Sequence, residues 1–517
     1  MLRDDIAAIA AAHGAQPMAV LPDGTLSYAQ AWNAAQSLAE ALRERGAGEG
    51  TVLAACCENG TALLTTWLAS IAMGAVFLPV NGLLRGGALE RVLHQSGARF
   101  AVCDAHRHDE LAVAREQLPE LRDVIVHGMR PVGRELDLGA ILERRAVGPG
   151  PALTDDDTLP AKLMYTSGST GVPKGVLWSR RCEAAWARAY ARELVVLEPG
   201  QSAYTCLPMT HVTCQGTVIA SVLNGGTAHV DARFEPFSFW PRVREADARV
   251  FTFVGTILAT LVRRTPRPDD LNNPVRRVVG AATPARHWAE FEERFGVEIV
   301  ETWGQTETAG CWFGPGPMPM RPGSVGVPSE RCEARLVDAE GFDVARGAPG
   351  QLWLRPTTPH LMFDRYLDDS SPGEWNQGGW YHTGDMLRQA GDGAYEFLGR
   401  HRDVIRRHGE TIAPSLIEEV AMEHPGVQEA VALAVPDPDA EGEDAIRLCV
   451  TGVDGAPPDL GDVTRFLRAR LPRLMRPRFI STHAEFPRTD TTRVRRAALR
   501  QESCPVWDVK AGHWLPA

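Results

Sequence analysis

The stretch from Tyr165 to Val176, YTSGSTGVPKGV, has the composition of a phosphate-binding loop. Its glycines let the backbone turn tightly and approach a ligand, its hydroxyl side chains supply donors, and Lys174 supplies a positive charge. A short apolar run precedes the loop, and residues 176–189 are long enough for a helix, so a strand, a turn and a helix are predicted around it. The residues assigned to phosphate binding are Thr166, Ser167, Gly168, Ser169, Thr170, Gly171 and Lys174.

The loop departs from the Walker A motif, because Pro173 stands where that motif needs glycine and Gly175 where it needs serine or threonine. As a whole string it resembles the signature of the adenylate-forming superfamily, which includes acyl-CoA synthetases, adenylation domains of peptide synthetases and luciferases. Without this resemblance, residues 165–176 could instead be a flexible surface turn. Lysine occurs only at positions 162, 174 and 510 among 54 basic residues, which suggests that the loop requires a compact point charge.

Length and composition limit the class of protein. A chain of 517 residues is long enough for about three lobes. A net charge of −11 argues against general nucleic-acid binding. The ten cysteines show no metal-binding spacing and are expected to be reduced and buried. No signal peptide or membrane span is predicted, so we expect a cytoplasmic protein.

The resemblance implies an α/β fold class with two parts. Residues 1–399 would form a large AMP-binding domain of layered α/β subdomains with a distorted barrel. Residues 400–404 would be a hinge, and residues 405–517 a small mobile α+β lid domain. The pattern of apolar residues agrees with this class, since it predicts a helix over 27–45 and buried strands over 51–55, 75–80, 251–255 and 277–282.

A second motif, ETWGQTE, occupies residues 301–307. Its aromatic residue Trp303 could stack on a base, Thr306 could hydrogen-bond a phosphate, and the Glu307 carboxylate could hold Mg²⁺. The string matches the superfamily, and the resemblance adds Thr302 and Gly304 to the nucleotide site. It also places Trp303 and Gly304 beside the acyl pocket.

A run of small residues, GAATP, begins at Gly280. The resemblance places Gly280, Ala281 and Ala282 against the adenine and Gly280 also against the acyl pocket. Small residues have a physical reason there, since a larger side chain would fill the volume of a flat ligand. A tight strand-to-helix turn explains the isolated string equally well.

The acyl pocket is assigned by resemblance alone. His211, in LPMTHVTCQG, matches a residue that gates the passage between acyl pocket and nucleotide site, and it is assigned to catalysis. A satisfied structural histidine is the alternative. Phe253 and Trp312 are further pocket candidates, and the string TCQG is similar to the crotonobetaine/carnitine-CoA ligase branch.

Three motifs surround the expected domain junction. Asp385, in WYHTGD, matches the residue that accepts both ribose hydroxyls. In GRHRDVI, Arg400 would contact ribose or phosphate, and Arg402 stands at the hinge position, where the family often has Asp or Lys. Gly409 matches the turn beside the pantetheine tunnel of thioester-forming relatives.

The main departure from the family lies at Arg493. The family pattern Pro-[Arg/Lys]-Thr-x-x-Gly-Lys carries a lysine that reaches the carboxylate during adenylation, whereas this chain has PRTDTTR. Arginine keeps the charge but replaces an ammonium with a larger planar fork. Arg493 is either an adequate substitute in an arginine-rich chain or a sign of slower or unusual activation.

Together these residues predict an ATP-dependent, AMP-forming ligase. A carboxylic acid would attack the α-phosphate of ATP, pyrophosphate would leave, and the acyl adenylate would pass to CoA. ATP, Mg²⁺ and CoA are the expected cofactors, and positioning with electrostatic stabilisation would supply the catalysis.

Several alternatives remain open at this stage. The acceptor could be an amine, as in amide-bond synthetases, or a carrier protein, and related diazotases activate nitrite. A catalytically weakened nucleotide-binding relative is the alternative of another class, which Arg493 favours and the intact motifs oppose. Neither nucleic acid nor membrane is expected as a partner, and the oligomeric state is open, a homodimer being one alternative.

Overall fold

A computed structural model describes residues 1–144, 148, 150–166, 174–317, 319–367, 375, 378–407, 410–440, 444–488 and 494–516. For Arg406, Glu410 and Thr411 it describes the backbone only. The predicted phosphate residues 167–171, Gly409 and Arg493 lie outside the described residues.

The helices are spread along the chain between the strands. In chain order they are α1 (Leu2–His13), α2 (Tyr28–Arg43), α3 (Thr61–Met73), α4 (Gly86–Ser96), α5 (His108–Gln117), α6 (Leu138–Glu143), α7 (Arg180–Ala189), α8 (Val212–Leu223), α9 (Phe239–Glu245), α10 (Gly255–Arg263), α11 (Ala285–Phe295), α12 (Pro414–Met422), α13 (Leu460–Arg470) and α14 (Arg496–Gln501). A single π-helical turn, Tyr190–Leu194, continues α7.

The strands in chain order are β1 (Pro17–Leu21), β2 (Gly24–Ser27), β3 (Val52–Cys56), β4 (Val76–Pro79), β5 (Phe100–Asp104), β6 (Asp123–His127), β7 (Leu136–Asp137), β8 (Pro160–Thr166), β9 (Lys174–Ser179), β10 (Ser202–Thr205), β11 (Thr227–Val230), β12 (Ala248–Val254), β13 (Arg277–Ala281), β14 (Glu298–Glu301), β15 (Phe313–Gly314), β16 (Ser324–Pro328), β17 (Cys332–Val337), β18 (Pro349–Pro356), β19 (Arg365–Tyr366), β20 (Tyr381–Gln389), β21 (Tyr395–Arg400), β22 (Ile405–Arg407), β23 (Glu410–Ile412), β24 (Val427–Pro436), β25 (Asp444–Gly452), β26 (Phe479–His483), β27 (Val506–Asp508) and β28 (His513–Leu515).

Two mainly parallel sheets form the body of the N-terminal part. Among the described residues their strand orders are β19-β9-β8-β4-β3-β5-β6-β7 and β14-β13-β12-β10-β11-β1-β2. Helices α3 and α7 pack on the first sheet and α8 on the second, and α7 also contacts α8. The apolar residues of these helices form one buried cluster with residues from both sheets, as expected for helices enclosed between two sheets, and other residues of the first sheet form a second cluster with α4 and α5.

A third sheet is antiparallel, with the order β15-β16-β21-β20-β18-β17. It corresponds to the predicted distorted barrel, although its edge strands β15 and β17 are not paired with each other in the described residues. The C-terminal part contains the hairpin β22-β23 and a sheet in the order β24-β25-β26-β27-β28, with a separate apolar cluster. The predicted α/β fold class is confirmed.

Most predicted elements are present with ends shifted by a few residues. The helix predicted over 27–45 is α2, and the buried strands predicted over 51–55 and 75–80 are β3 and β4. No helix in the described part of the chain has the length and apolar character needed to cross a membrane. The described cysteines are free, and nearly all of them are buried.

Candidate functional site

A cavity of about 600 Å³ opens where strands of both large sheets end. Its lining includes Thr166 at the end of β8, Val254 after β12, Ala281 at the end of β13 and Thr302 after β14. The carboxyl ends of parallel strands form the usual ligand crevice of open α/β sheets, since the loops diverge there. The fold therefore brings motifs from distant parts of the sequence to one cavity.

The local structure around the phosphate loop differs from the prediction. The segment after the loop is the strand β9, antiparallel to β8, and helix α7 begins only at Arg180. The predicted strand before the loop is β8, but the helix predicted from Val176 is wrong up to Ser179, because Val176, Leu177 and Trp178 are buried in the sheet. Thr166 and Lys174 are register partners at the mouth of the hairpin, so both ends of the loop lie beside the cavity.

Lys174 and Glu307 lie together at this end of the cavity. The Lys174 Nζ atom is 4.7 Å from the centroid of the Tyr366 ring, and the Tyr366 hydroxyl donates a 3.0 Å hydrogen bond to Glu307 Oε1. The Trp178 indole N–H donates to the Thr306 carbonyl at 2.9 Å. Strands β9 and β19 thus hold the ETWGQTE loop beside the lysine, which places a cation and a carboxylate where phosphates and their metal ion could bind.

Asp385 is the centre of the part of the site that is expected to hold the nucleoside. Its Oδ2 atom accepts hydrogen bonds of 2.9 Å from Trp303 Nε1 and 2.9 Å from Gln305 Nε2, and its Oδ1 atom lies 3.0 Å from Arg400 Nε. The carboxylate is almost fully buried and is not part of the cavity lining, whereas Trp303 and Arg400 are. Asp385 therefore orients the two side chains that face the cavity.

Glu301 holds the turn beside the expected adenine position. Its carboxylate accepts hydrogen bonds from the Ala282 N–H at 2.5 Å and from the Thr283 N–H and hydroxyl at 3.1 and 2.5 Å. Burial raises the pKa of Glu301 to about 7, because these hydrogen bonds offset only part of the cost of desolvating the charge. Thr302 donates its hydroxyl to the Gly280 carbonyl at 2.9 Å.

Gly280 and Phe253 have packing roles in this structure. A Cβ atom on Gly280 would lie 2.3 Å from the Phe253 carbonyl oxygen and 2.8 Å from its ring, so the glycine permits β12 and β13 to pack. Phe253 is fully buried and, like Gly280, Ala282 and Asp385, does not line the described cavity. Ala282 has φ of +65°, a conformation that the Glu301 hydrogen bonds hold.

Residues predicted to border the acyl pocket also lie at the cavity: His211 precedes α8 and lines it. Trp312 lines it as predicted, and Gly304 lies beside Trp312. Sequence analysis missed Trp186 and Tyr190, which also line it. Neither residue lies in a recognisable motif, and only the packing of α7 and its π-helical extension brings them here. Tyr366 was missed for the same reason, whereas Gln305 and Glu301 lie within the motif.

Arg402 lies at the mouth of the cavity with His401, in the turn between β21 and β22. Among the described residues, no group of three or more His, Cys, Asp or Glu side chains could hold a metal ion. Glu307 as a single carboxylate fits Mg²⁺ bound together with substrate phosphates, which is how this ion commonly binds.

Comparison with known proteins identifies the family. The model of the AMP-binding enzyme family matches residues 6–367, and that of the AMP-binding enzyme C-terminal domain matches residues 416–493. The chain is an AMP-binding enzyme. Members of this family are ATP-dependent acid ligases, and the predicted superfamily and enzyme class are confirmed.

This AMP-binding enzyme resembles CoA ligases over nearly its whole length. It is 31% identical to the sulfoacetate–CoA ligase of Cupriavidus necator, covering 96% of this chain and 97% of that protein. It is 24% identical to a crotonobetaine/carnitine–CoA ligase of Salmonella choleraesuis, over 92% and 93% of the two chains, so the predicted likeness to that branch is also found. The crystal structure of the anthranilate CoA ligase AuaEII with anthranoyl-AMP superposes with a TM-score of 0.88 at 23% identity, over 96% of each chain.

Proposed function

We propose that this protein is an acyl-CoA ligase, which activates a carboxylic acid with ATP and transfers the acyl group to CoA. The observation that carries the proposal is one continuous cavity, whose lining contains Lys174 and Glu307 as well as the aromatic cluster of Trp186, Tyr190 and Trp312, with His211 also in the lining. A ligase needs such a connection, because the carboxylate and the α-phosphate must meet in line. The resemblance to CoA ligases supports CoA as the acceptor.

In the first step a carboxylate oxygen of the acid attacks the α-phosphorus of ATP, and the bond to pyrophosphate breaks. Lys174 and the loop 166–174 hold the pyrophosphate portion and offset its negative charge. Trp303 and Arg400 position the nucleoside, with Asp385 orienting them through the contacts described above. Mg²⁺ held by Glu307 and the phosphates would neutralise further charge.

In the second step the CoA sulfur attacks the acyl carbonyl, AMP leaves, and the thiol proton is released. We propose that residues 1–399 and 405–517 are separate domains, with a hinge at 400–404 around Arg402. Rotation about the hinge would exchange Arg493, which would serve adenylation, for Gly409, which would border the pantetheine tunnel. His211 would gate the passage between the acyl and nucleotide sites.

The test is acid-dependent pyrophosphate release with ATP and Mg²⁺, measured with and without CoA. The proposal expects release that depends on an acid and an acyl-CoA product of the corresponding mass. Release without any CoA effect would redirect the search to an amine or a carrier protein, and release with nitrite alone would indicate a diazotase. Absence of release with all acids would favour the catalytically weakened relative.

A further inference from the structure

The acyl end of the cavity is walled by three aromatic side chains. Trp186, Tyr190 and Trp312 all line it, and each is more than nine-tenths buried. The ring centroids of Trp186 and Tyr190 are 5.8 Å apart, and those of Tyr190 and Trp312 are 5.7 Å apart at an interplanar angle of 79°. Apolar residues complete this end of the cavity, among them Met164, Leu194 and Leu207.

Close packing fixes the position of Tyr190 in this aromatic wall. Tyr190 begins the π-helical turn, and its ring lies over Gly216 of α8, where a Cβ atom would come within 2.5 Å of Tyr190 Cζ. A π-helical turn is rare and often occurs at a functional site. The aromatic wall is therefore preorganised, which lowers the cost of binding a flat ligand.

Each wall residue carries a hydrogen-bond donor that has no acceptor among the described residues. In contrast, the indole N–H groups of Trp67, Trp178 and Trp303 all have protein acceptors. Unlike Trp240 Nε1, which is fully enclosed without a partner, the donors of Trp186, Tyr190 and Trp312 keep some contact with solvent, and the cavity that these three residues line is an open space beside them. A ligand that offers an acceptor would satisfy them, whereas a purely apolar ligand would leave them desolvated and unpaired.

Cations already lie behind two of the rings. Lys162 Nζ is 4.6 Å from the Trp186 ring centroid, and Arg331 Cζ is 4.9 Å from that of Trp312. Neither cation lines the cavity, and each pairs with a carboxylate, Glu183 and Glu193 respectively. The rings of Trp186 and Trp312 thus already interact with one cation each, which weakens the attraction that they can offer to a second one, and this argues against a quaternary ammonium substrate.

The described residues of this end also lack a charged partner for an anion. The lysine, arginine and glutamate side chains in the described lining are Lys174, Glu307, Arg400 and Arg402, which belong to the motifs assigned to phosphate, ribose and the hinge; the lining also contains His211, His382 and His401. Burying a second anionic group without a paired cation is costly. A sulfonate or second carboxylate on the acid is therefore disfavoured.

Resting on the proposed function, we infer that the substrate is an aromatic monocarboxylic acid with a neutral oxygen acceptor on its ring, such as a hydroxy or methoxy group. The ring packs within the aromatic wall, and the oxygen accepts a hydrogen bond from the Tyr190 hydroxyl. Tyr190 is thus a specificity-determining residue.

The test measures kcat and KM for acid-dependent pyrophosphate release by the full chain. The panel contains benzoic, phenylacetic and cinnamic acids with and without a ring hydroxy or methoxy group, together with cyclohexylacetate, hexanoate, sulfoacetate and 4-trimethylammoniobutanoate. The oxygenated aryl acids are expected to have the highest kcat/KM. Preference for sulfoacetate, the ammonium acid or hexanoate would overturn the inference and leave the ligase proposal intact.

The variant Tyr190→Phe removes only the hydroxyl. It is expected to lower kcat/KM about tenfold for the oxygenated acids, mainly through KM, and to leave the unsubstituted acids unchanged. The matched control is Tyr395→Phe, since Tyr395 is buried outside the cavity lining and its hydroxyl has no hydrogen-bond partner among the described residues. Equal losses for both acid series, or the same loss in the control, would refute the role of the hydroxyl.

Acid binding is measured in parallel by quenching of tryptophan fluorescence. Saturable quenching by oxygenated aryl acids without any pyrophosphate release would support the inferred ligand class and refute the ligase proposal. Neither quenching nor release with these acids would refute the inference.

Discussion

The buried carboxyl group of Glu301 makes the free energy of unfolding of this protein depend on pH. Burial raises its pKa from 4.5 to about 7, so the folded protein binds this proton more tightly than the unfolded chain does. The resulting stabilisation is fully present below about pH 4.5 and is lost as the pH rises through about 7. The difference corresponds to about 3 kcal/mol in total, of which about 2.5 kcal/mol is lost between pH 5 and pH 8.

The variant Glu301→Gln removes the titration and keeps the shape of the side chain. Its carboxamide oxygen can still accept from the Ala282 N–H, and the group remains neutral at every pH. The free energy of unfolding in urea, measured at pH 5 and pH 8, should therefore fall about 2.5 kcal/mol more for the wild type than for the variant.

The control for this experiment is Glu298→Gln on the same strand, where the carboxylate is half exposed and pairs with Arg277. This variant should still show the wild-type loss of stability between pH 5 and pH 8, because it keeps the buried Glu301 carboxyl group. The reasoning about Glu301 fails if the wild type and Glu301→Gln lose equal stability between the two pH values.

Further predictions concern catalysis, the acyl wall and the thiols. Lys174→Ala should lower acid-dependent pyrophosphate release about 10²- to 10³-fold, because a stabilising cation contributes on that scale; an unchanged kcat would remove Lys174 from the mechanism. Arg493→Ala should lower release on the same scale while Arg493→Lys retains it, and equal rates for all three forms would show that the position is not used. Gly216→Ala should lower kcat/KM more for aryl acids than for acetate, because its Cβ would come within 2.5 Å of the Tyr190 ring; a uniform loss across acids would indicate general destabilisation instead. Native protein treated with iodoacetamide should be alkylated first at Cys504, since the other cysteines are buried and burial raises the pKa of the Cys56 thiol to about 12; peptide mass spectrometry would reveal an earlier reaction elsewhere.

The position of the phosphate loop shows where local pattern was sufficient and where it was not. The string at 165–176 identified the loop from its residue types alone. The following segment, residues 176–189, was predicted as a helix because it is long enough for one. In the structure its first part belongs to the buried strand β9, since pairing with β8 and β19 satisfies its backbone on both sides.

The sequence by itself determined the family and the fold class, and it predicted which residues form the nucleotide end. Those residues occur in contiguous motifs, because a backbone turn that holds phosphate or ribose needs neighbouring residues of particular types. Their assignment required no knowledge of which segments meet in space.

Only the tertiary structure decided which side chains share the acyl wall and which support it. Trp186, Tyr190 and Trp312 come from separate elements, and their contacts depend on how α7, the π-helical turn and α8 pack between the sheets. The same holds for Glu301, whose raised pKa results from burial. Packing and desolvation depend on contacts between residues that are far apart in the sequence, so they cannot be predicted from a local sequence pattern.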